Sequence, residues 1–313
     1  MVNALAGHGC DFDVQLETGH TPLSFAVCHR NLELIQTLLD AGADINKPRE
    51  VGDKRIYPLD DAIMEMKDGT DTEVVDLLLK SGRCRINQGK NPANTIFHYV
   101  LVKAEMKPHS SWDGLALRMV DATPDVNDDK CDTGHGLLHM ATLYLREDII
   151  DRLRLKGADL EAVDKGGSTP LMMACRNAPT MIPVLLARGA NLDVKYKGSA
   201  GLLAVAAAHG QVASLVELIT KSGMDIEAKT EVGYTPLACA LNWGQEKAAL
   251  YLIHKGADVH WKPPGKEQTT LHLAARYNLE AAAERLLRRG VDVNAKNSRG
   301  WTPLHEVSSV VIT

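Results

Sequence analysis

The stretch from Gly233 to Asp258, GYTPLACALNWGQEKAALYLIHKGAD, decides the fold of this 313-residue chain. Near its start is Thr235-Pro236-Leu237. A proline fits the first turn of a helix because a backbone N–H at that position would have no helical partner. Near its end is Gly256, which follows an apolar run. A glycine there can stop a helix by taking a left-handed conformation. Two short apolar-periodic segments lie between these signals, so the stretch predicts a turn, a helix, a short loop and a second helix.

The same pattern recurs along the whole chain. Aligned on the threonine slot, in full or looser form, repeats begin at residues 21, 57, 95, 136, 169, 201, 235, 269 and 302. The closing glycine recurs at Gly42, Gly157, Gly189, Gly256 and Gly290. In the second half of the chain the period is about 33 residues. A helix pair of this size cannot bury its apolar face alone, so successive pairs must stack.

These motifs resemble ankyrin repeats. The resemblance implies an all-α ankyrin-repeat solenoid of about eight helix-turn-helix units, with half repeats at both ends. We expect one array over residues 1–313, with a partial N-terminal unit at 1–14, divergent units with insertions at 15–130, regular units at 131–296 and a partial C-terminal unit at 297–313. The stretches Lys67–Thr72 and Lys103–Gly114 are predicted to be insertions between paired helices.

Composition disfavours several classes of function. The net charge is −5 and no run of Lys or Arg is present, which argues against a nucleic-acid partner. No apolar stretch reaches the roughly 18 residues of a membrane span, and the N-terminus does not read as a signal peptide. Six cysteines lie far apart without a CxxC pair, which is typical of free thiols in a reducing compartment. We therefore expect a cytoplasmic protein without membrane contact, with the nucleus as the alternative.

Several chemically suggestive residues have simpler structural interpretations. Cys131, His135 and His139 have a metal-like spacing, but His139 belongs to the repeat signature, so we predict no metal site and no cofactor. The resemblance implies that the fourth-slot histidines bond locally to backbone and hydroxyl groups; they are His98, His139, His272 and His305. Asn46 and Asn294 lie in turns where family members can be hydroxylated, although a turn residue that bonds its own backbone is the simpler interpretation.

The candidate binding residues are those that the repeat itself does not require. In ankyrin-like stacks, the residue before the threonine slot and the residues ending the first helix line one concave face. Aromatics make up only 4% of the chain, yet several of them fall in these slots together with arginine and histidine. Such side chains dominate binding hot spots. The predicted binding residues are Tyr144, Arg176, His209, Tyr234, Trp243, Arg276, Tyr277 and Trp301.

Three functions remain open at this point. The resemblance favours a protein-interaction module that binds a peptide or folded protein on its concave aromatic face. The alternative is a small-molecule-binding protein or a non-metal enzyme, with His209 as general acid or base and Arg176 or Tyr144 polarising an oxygen. No other catalytic motif supports an enzyme, so the sequence favours a non-catalytic role. A third hypothesis is a regulatory or scaffolding piece of a larger chain.

Overall fold

The computed structural model describes residues 2–52, 54–66, 72–90, 92–107, 111–196, 200–263 and 267–310. The described residues are mostly helical, which confirms the predicted all-α repeat fold. The chain forms two compact units, a first unit of Met1–Lys165 and a second unit of Gly166–Thr313, and each is described by itself.

The first unit is built from helix pairs that stack in chain order. First helices pack on first helices (α2 on α4, α4 on α6), and second helices pack on second helices (α3 on α5, α5 on α7, α7 on α9). The N-terminal helix α1 packs against α3, as a second helix of a partial repeat would. The helices are α1 (Val2–Ala6), α2 (Pro22–Cys28), α3 (Leu32–Asp40), α4 (Pro58–Met64), α5 (Glu73–Lys80), α6 (Ile96–Met106), α7 (Ser111–Ala122), α8 (Leu137–Leu143) and α9 (Glu147–Leu155).

The second unit follows the same plan. First helices α10, α12, α14, α16 and α18 pack successively, and α13, α15 and α17 form the second row. A π-helical turn over Glu217–Lys221 continues α13. The helices are α10 (Pro170–Asn177), α11 (Met181–Ala187), α12 (Leu202–Ala208), α13 (Val212–Val216), α14 (Pro236–Asn242), α15 (Glu246–His254), α16 (Thr270–Arg276), α17 (Glu280–Arg288) and α18 (Pro303–Val310).

The repeat signals act at the helix ends, as their chemistry predicts. The Thr235 hydroxyl accepts a hydrogen bond from the backbone N–H of Ala238 at 3.3 Å, with Pro236 in the first turn of α14. Such a cap stabilises a helix by about 1 kcal/mol because it satisfies a backbone donor that has no helical partner. At the other end of the repeat, Gly256 adopts a φ of 95°, which an L side chain rarely takes.

The fourth-slot histidines behave as predicted in three of four cases. Nδ1 of His139, His272 and His305 each accepts a hydrogen bond at 3.2 Å from the backbone N–H three residues earlier. His98 differs, because its Nδ1 is hydrogen-bonded to the hydroxyl of Tyr144 in the next repeat. The prediction of a local role is therefore wrong for His98, and it is incomplete for His272, whose Nε2 also lies 2.9 Å from the carbonyl of Trp301, 29 residues later.

The divergent region differs from the prediction in two respects. Most described residues of the predicted insertion 103–114 are helical: 103–106 lengthen α6 to 11 residues, and 111–114 begin the 12-residue helix α7. The other predicted insertion, at 67–72, lies outside the described residues except for Thr72. Two short antiparallel hairpins also form between repeats; their strands are β1 (Arg49–Val51) with β2 (Lys54–Ile56), and β3 (Lys195–Tyr196) with β4 (Ala200–Gly201).

Turn asparagines connect successive repeats rather than bonding only within their own turn. The Asn46 side-chain amide donates to the carbonyl of Arg83 at 2.8 Å and accepts from the N–H of Arg85 at 2.8 Å. Asn127 makes the same pair of bonds to the carbonyl of Gly157 and the N–H of Asp159. We call these contacts the asparagine bridges. They correct the expectation that the side chain of Asn46 bonds its own backbone.

Candidate functional site

Four of the predicted binding residues occupy one structural position, directly after a first helix. Tyr144 follows α8, His209 follows α12, Trp243 follows α14 and Tyr277 follows α16. Each is the C-cap residue of its helix, and its backbone N–H bonds a carbonyl of the last turn. Tyr144 belongs to the first unit, and the other three belong to consecutive repeats of the second unit.

Trp243 and Tyr277 are the two large aromatic side chains of this position that remain open to solvent. Trp243 is 65% exposed and Tyr277 is 44% exposed. A Cβ on Gly244 would lie 3.8 Å from Cδ1 of Tyr277, so the tyrosine ring lies against the turn that directly follows Trp243. We call His209, Trp243 and Tyr277 the aromatic strip. Large exposed rings on adjacent, packed repeats are typical of a recognition surface rather than of a core.

Two of the other predicted aromatics are engaged within the second unit. The ring centroids of Tyr234 and Trp261 are 5.0 Å apart, and Nε1 of Trp261 donates to the carbonyl of Gly233 at 2.9 Å. The carbonyl of Trp301 is hydrogen-bonded to Nε2 of His272 at 2.9 Å, and the guanidinium of Arg299 lies 5.8 Å from the centre of the Trp301 ring. The Tyr234 ring is therefore packed on Trp261, whereas the hydrogen bond to His272 involves the main chain of Trp301 and leaves its ring in contact with Arg299.

Arg276 is held by a buried acid on the next first helix. Its Nε donates to Oε2 of Glu306 at 3.1 Å, and its Nη2 donates to Oε1 at 3.2 Å. Glu306 is only 3% exposed and also accepts from Nδ2 of Asn297 at 3.1 Å. A bidentate pair with a buried carboxylate fixes the guanidinium in place, so Arg276 helps to dock α18 onto α16.

The residues of the alternative catalytic hypothesis each have an identified partner. Nδ1 of His209 lies 2.8 Å from the carbonyl of Val205, which assigns the ring proton to Nδ1 and leaves Nε2 as the basic nitrogen. Arg176 donates to the hydroxyl of Ser168, and Tyr144 is hydrogen-bonded to His98. Catalysis by these three residues stays a prediction, which metabolite profiling with and without the protein would test.

The cysteine–histidine cluster in the first unit forms a hydrogen-bonded turn. Sγ of Cys131 lies 3.1 Å from Oγ1 of Thr133, which lies 2.8 Å from Nδ1 of His135. Burial raises the pKa of Cys131, but hydrogen bonds from His135 and Thr133 outweigh it, so the thiol pKa lies below its ordinary value. Within the described ranges, no group of three or more His, Cys, Asp or Glu side chains is arranged to hold a metal ion. The described helices also include none with the length and apolarity of a bilayer span.

The sequence interpretation missed a cavity of about 470 Å³ in the first unit. It lies among the β1–β2 hairpin, α4, the turn before α6 and α6 itself. Its wall includes Ile56 and Asn94, which precede the threonine slots of two repeats, and Met64 and Val102 from the first helices α4 and α6. These side chains gave no signal in the sequence that the repeats leave space between them.

Comparison with known proteins agrees with this geometry. An ankyrin repeat model matches residues 18–49, 166–197 and 232–262, and a model for multiple ankyrin repeats matches 252–307. Transient receptor potential cation channel subfamily A member 1 of Homo sapiens is 28% identical over 177 residues, which are 54% of this chain and 16% of the channel. B-cell lymphoma 3 protein homolog of Mus musculus is 30% identical over 174 residues, 55% of this chain and 32% of that protein.

Neurogenic locus notch homolog protein 1 of Mus musculus is 44% identical over 57 residues, which are 18% of this chain and 2% of that protein. The chain thus spans no more than about a third of the length of these relatives. The threonine caps, the fourth-slot histidines, the stacked helix pairs and these matches together show that the chain belongs to the ankyrin repeat family.

Proposed function

We propose that the chain binds a protein partner through the aromatic strip of its second unit. Ankyrin repeats are generally protein–protein interaction modules. The observation that carries the finer proposal is the exposure of Trp243 and Tyr277, at 65% and 44%, on neighbouring repeats. Tryptophan and tyrosine contribute most to binding when a partner buries them, because each removes a large apolar area from water.

The strip lies on a packed backbone framework, which favours binding. Gly244 follows Trp243 with a φ of 69°, and the Tyr277 ring rests against this turn. The helices behind the strip are fully packed: Leu237, Leu241 and Leu273 have no exposed surface. A surface that is already rigid loses little conformational entropy on association, so more of its contact energy appears as affinity.

The proposal is tested by quantitative pull-down from native extract with the full chain as bait. The test variant is Trp243→Ala with Tyr277→Ala. The matched control is Met106→Ala with Leu155→Ala, which removes two apolar side chains that are 72% and 82% exposed in the first unit. Truncating two hot-spot residues costs about 2 kcal/mol each, so we expect partner recovery to fall at least tenfold for the test variant.

The control should recover partners at the wild-type level. Thermal unfolding of both variants should match the wild type within a few degrees, since the removed side chains are exposed. Equal recovery of the same partners by wild type and by the strip variant would refute a role for the strip.

A further inference from the structure

We propose that the cavity of the first unit is a binding site for a small apolar carboxylate, distinct from the aromatic strip. Its volume of about 470 Å³ lies within the range of roughly 300–1,000 Å³ that is usual for small-molecule sites. It would accept a ligand with one ring or a short alkyl body and an anionic end. This proposal goes beyond the proposed function, because it neither needs nor predicts a protein partner.

The floor and sides of the cavity supply the apolar contacts. Ile56 comes from β2, Met64 from the end of α4, and Ile96, Tyr99 and Val102 from one side of α6. The Tyr99 ring is fixed by Trp112 of α7, with ring centroids 6.0 Å apart and an edge-on geometry. Burial of an apolar ligand body against such walls is favourable in proportion to the area that leaves water.

The charged groups of the cavity favour an anion. Lys54, Arg55 and Lys90 line it, and Asp60 is the acidic residue among its lining side chains. Arg55 is paired with Asp132 from the turn two repeats further along the chain, whereas Lys54 and Lys90 are exposed and make no ion pair among the residues that the structure describes. Two cations therefore remain available to a carboxylate at the mouth.

The walls are held in place independently of any ligand. Arg49 at the base of the hairpin donates to both carboxylate oxygens of Asp61 on α4, at 3.0 and 2.8 Å. The Arg55–Asp132 pair joins the second strand of the hairpin to the turn before α8, two repeats further along the chain. A bidentate arginine clamp adds geometric specificity to a contact, so the hairpin side of the cavity is preformed.

The turn before α6 is also constrained. A Cβ on Gly89 would approach the carbonyl oxygen of Asn94 to 2.7 Å, so only glycine fits this wall without a backbone shift. Across the cavity, His98 is oriented by its hydrogen bond to Tyr144, and burial lowers the pKa of His98. A neutral imidazole at this wall can hydrogen-bond a ligand oxygen without adding charge.

The test is isothermal titration of the full chain at pH 7 with two probes of equal shape, 4-phenylbutyrate and its uncharged amide, 4-phenylbutyramide. We expect saturable 1:1 binding of the carboxylate and binding of the amide that is weaker by about five- to tenfold. The double variant Lys54→Gln with Lys90→Gln should bind the carboxylate more weakly by a similar factor and should bind the amide with unchanged affinity. Lys80→Gln with Lys296→Gln, on exposed lysines elsewhere, should change neither probe.

A second type of variant fills the cavity with a large side chain. Val102→Trp should abolish binding of both probes, and Ala93→Trp fills the same space from the short 3-10 turn if the first substitution reduces helicity in circular dichroism. Trp243→Ala with Tyr277→Ala should bind both probes like the wild type, which separates this site from the aromatic strip. Absence of saturable binding, equal affinity for the two probes, or undiminished binding by a folded cavity-filling variant would each overturn the proposal.

Discussion

At the scale of single residues, Asp60 shows how one position serves two purposes. Its Oδ2 accepts a hydrogen bond from the backbone N–H of Tyr57 at 2.9 Å and so caps α4. The same carboxyl lines the cavity, and burial raises its pKa to about 7. Arg49 lowers and Asp61 raises the pKa of this carboxyl, and the other charged or titratable residues that line the cavity are Lys54, Arg55, Lys90 and His98.

The raised pKa of Asp60 makes stability depend on pH. The native pKa of about 7 exceeds the unfolded value of about 3.9, so the folded state holds the proton more tightly and loses stability as pH rises between these values. Asp60→Asn keeps the capping oxygen and removes the charge. We expect it to increase the free energy of unfolding at pH 8 by roughly 1–3 kcal/mol, with a smaller gain at pH 5. Urea denaturation at both pH values measures this; an equal gain at both would contradict the titration argument.

Arg276 stays a predicted binding residue, and its ion pair with Glu306 gives a separate prediction about stability. Arg276→Met leaves the carboxylate of Glu306 buried without its guanidinium, and we expect a loss of about 1–3 kcal/mol in the free energy of unfolding. Arg276→Met with Glu306→Gln removes both charges and should recover part of that loss. Denaturant unfolding compares the three proteins. Wild-type stability for the single variant would show that the pair has no structural role.

At the scale of helices and turns, the local signals were sufficient to predict most elements. Thr-Pro-Leu starts helices and the closing glycines end repeats, because caps and left-handed turns depend only on neighbouring residues. The β1–β2 hairpin was missed because its strands have three residues each and no alternating pattern. The cavity was missed because it depends on how far Lys54, Asp60 and Val102, which lie on separate elements, are held apart.

The asparagine bridges give an element-scale prediction. Asn46→Ala removes two hydrogen bonds between consecutive turns, each worth about 1 kcal/mol or less at an exposed site. We expect a loss of about 1 kcal/mol in stability and faster amide exchange at Arg85, whose N–H loses its acceptor. Asn46→Asp keeps an acceptor for that N–H and should retain its protection. Unchanged exchange at Arg85 in the alanine variant would exclude the bridge as a source of order.

At the scale of the whole molecule, a mutation that removes core packing should lower the stability of its own repeat and of the neighbouring repeats. In stacked repeats each layer contacts the next, so a core defect acts locally first. Leu252→Ala in α15 empties a fully buried position and should cost about 2–5 kcal/mol. Hydrogen exchange should accelerate most in α13–α17, while Leu78→Ala in α5 should affect α3–α7 instead. Uniform acceleration across both units by either variant would contradict nearest-neighbour behaviour.

The predicted site was only partly accessible from the sequence. The slots that end the first helices were identified correctly, because the repeat period places them. The repeat period could not predict which of these side chains contact other residues of the chain. Arg276 is occupied by Glu306 thirty residues later, and Tyr234 by Trp261, and both partners come from other turns or helices.

The asparagine bridges bear on how the sequences of neighbouring repeats can evolve. The side-chain amides of Asn46 and Asn127 form their bridging hydrogen bonds with main-chain atoms of the following repeat. Every amino acid except proline offers the same carbonyl and N–H, so the receiving turn carries no sequence requirement at that joint. Duplication or exchange of a repeat should therefore keep these hydrogen bonds without a compensating substitution in the receiving turn.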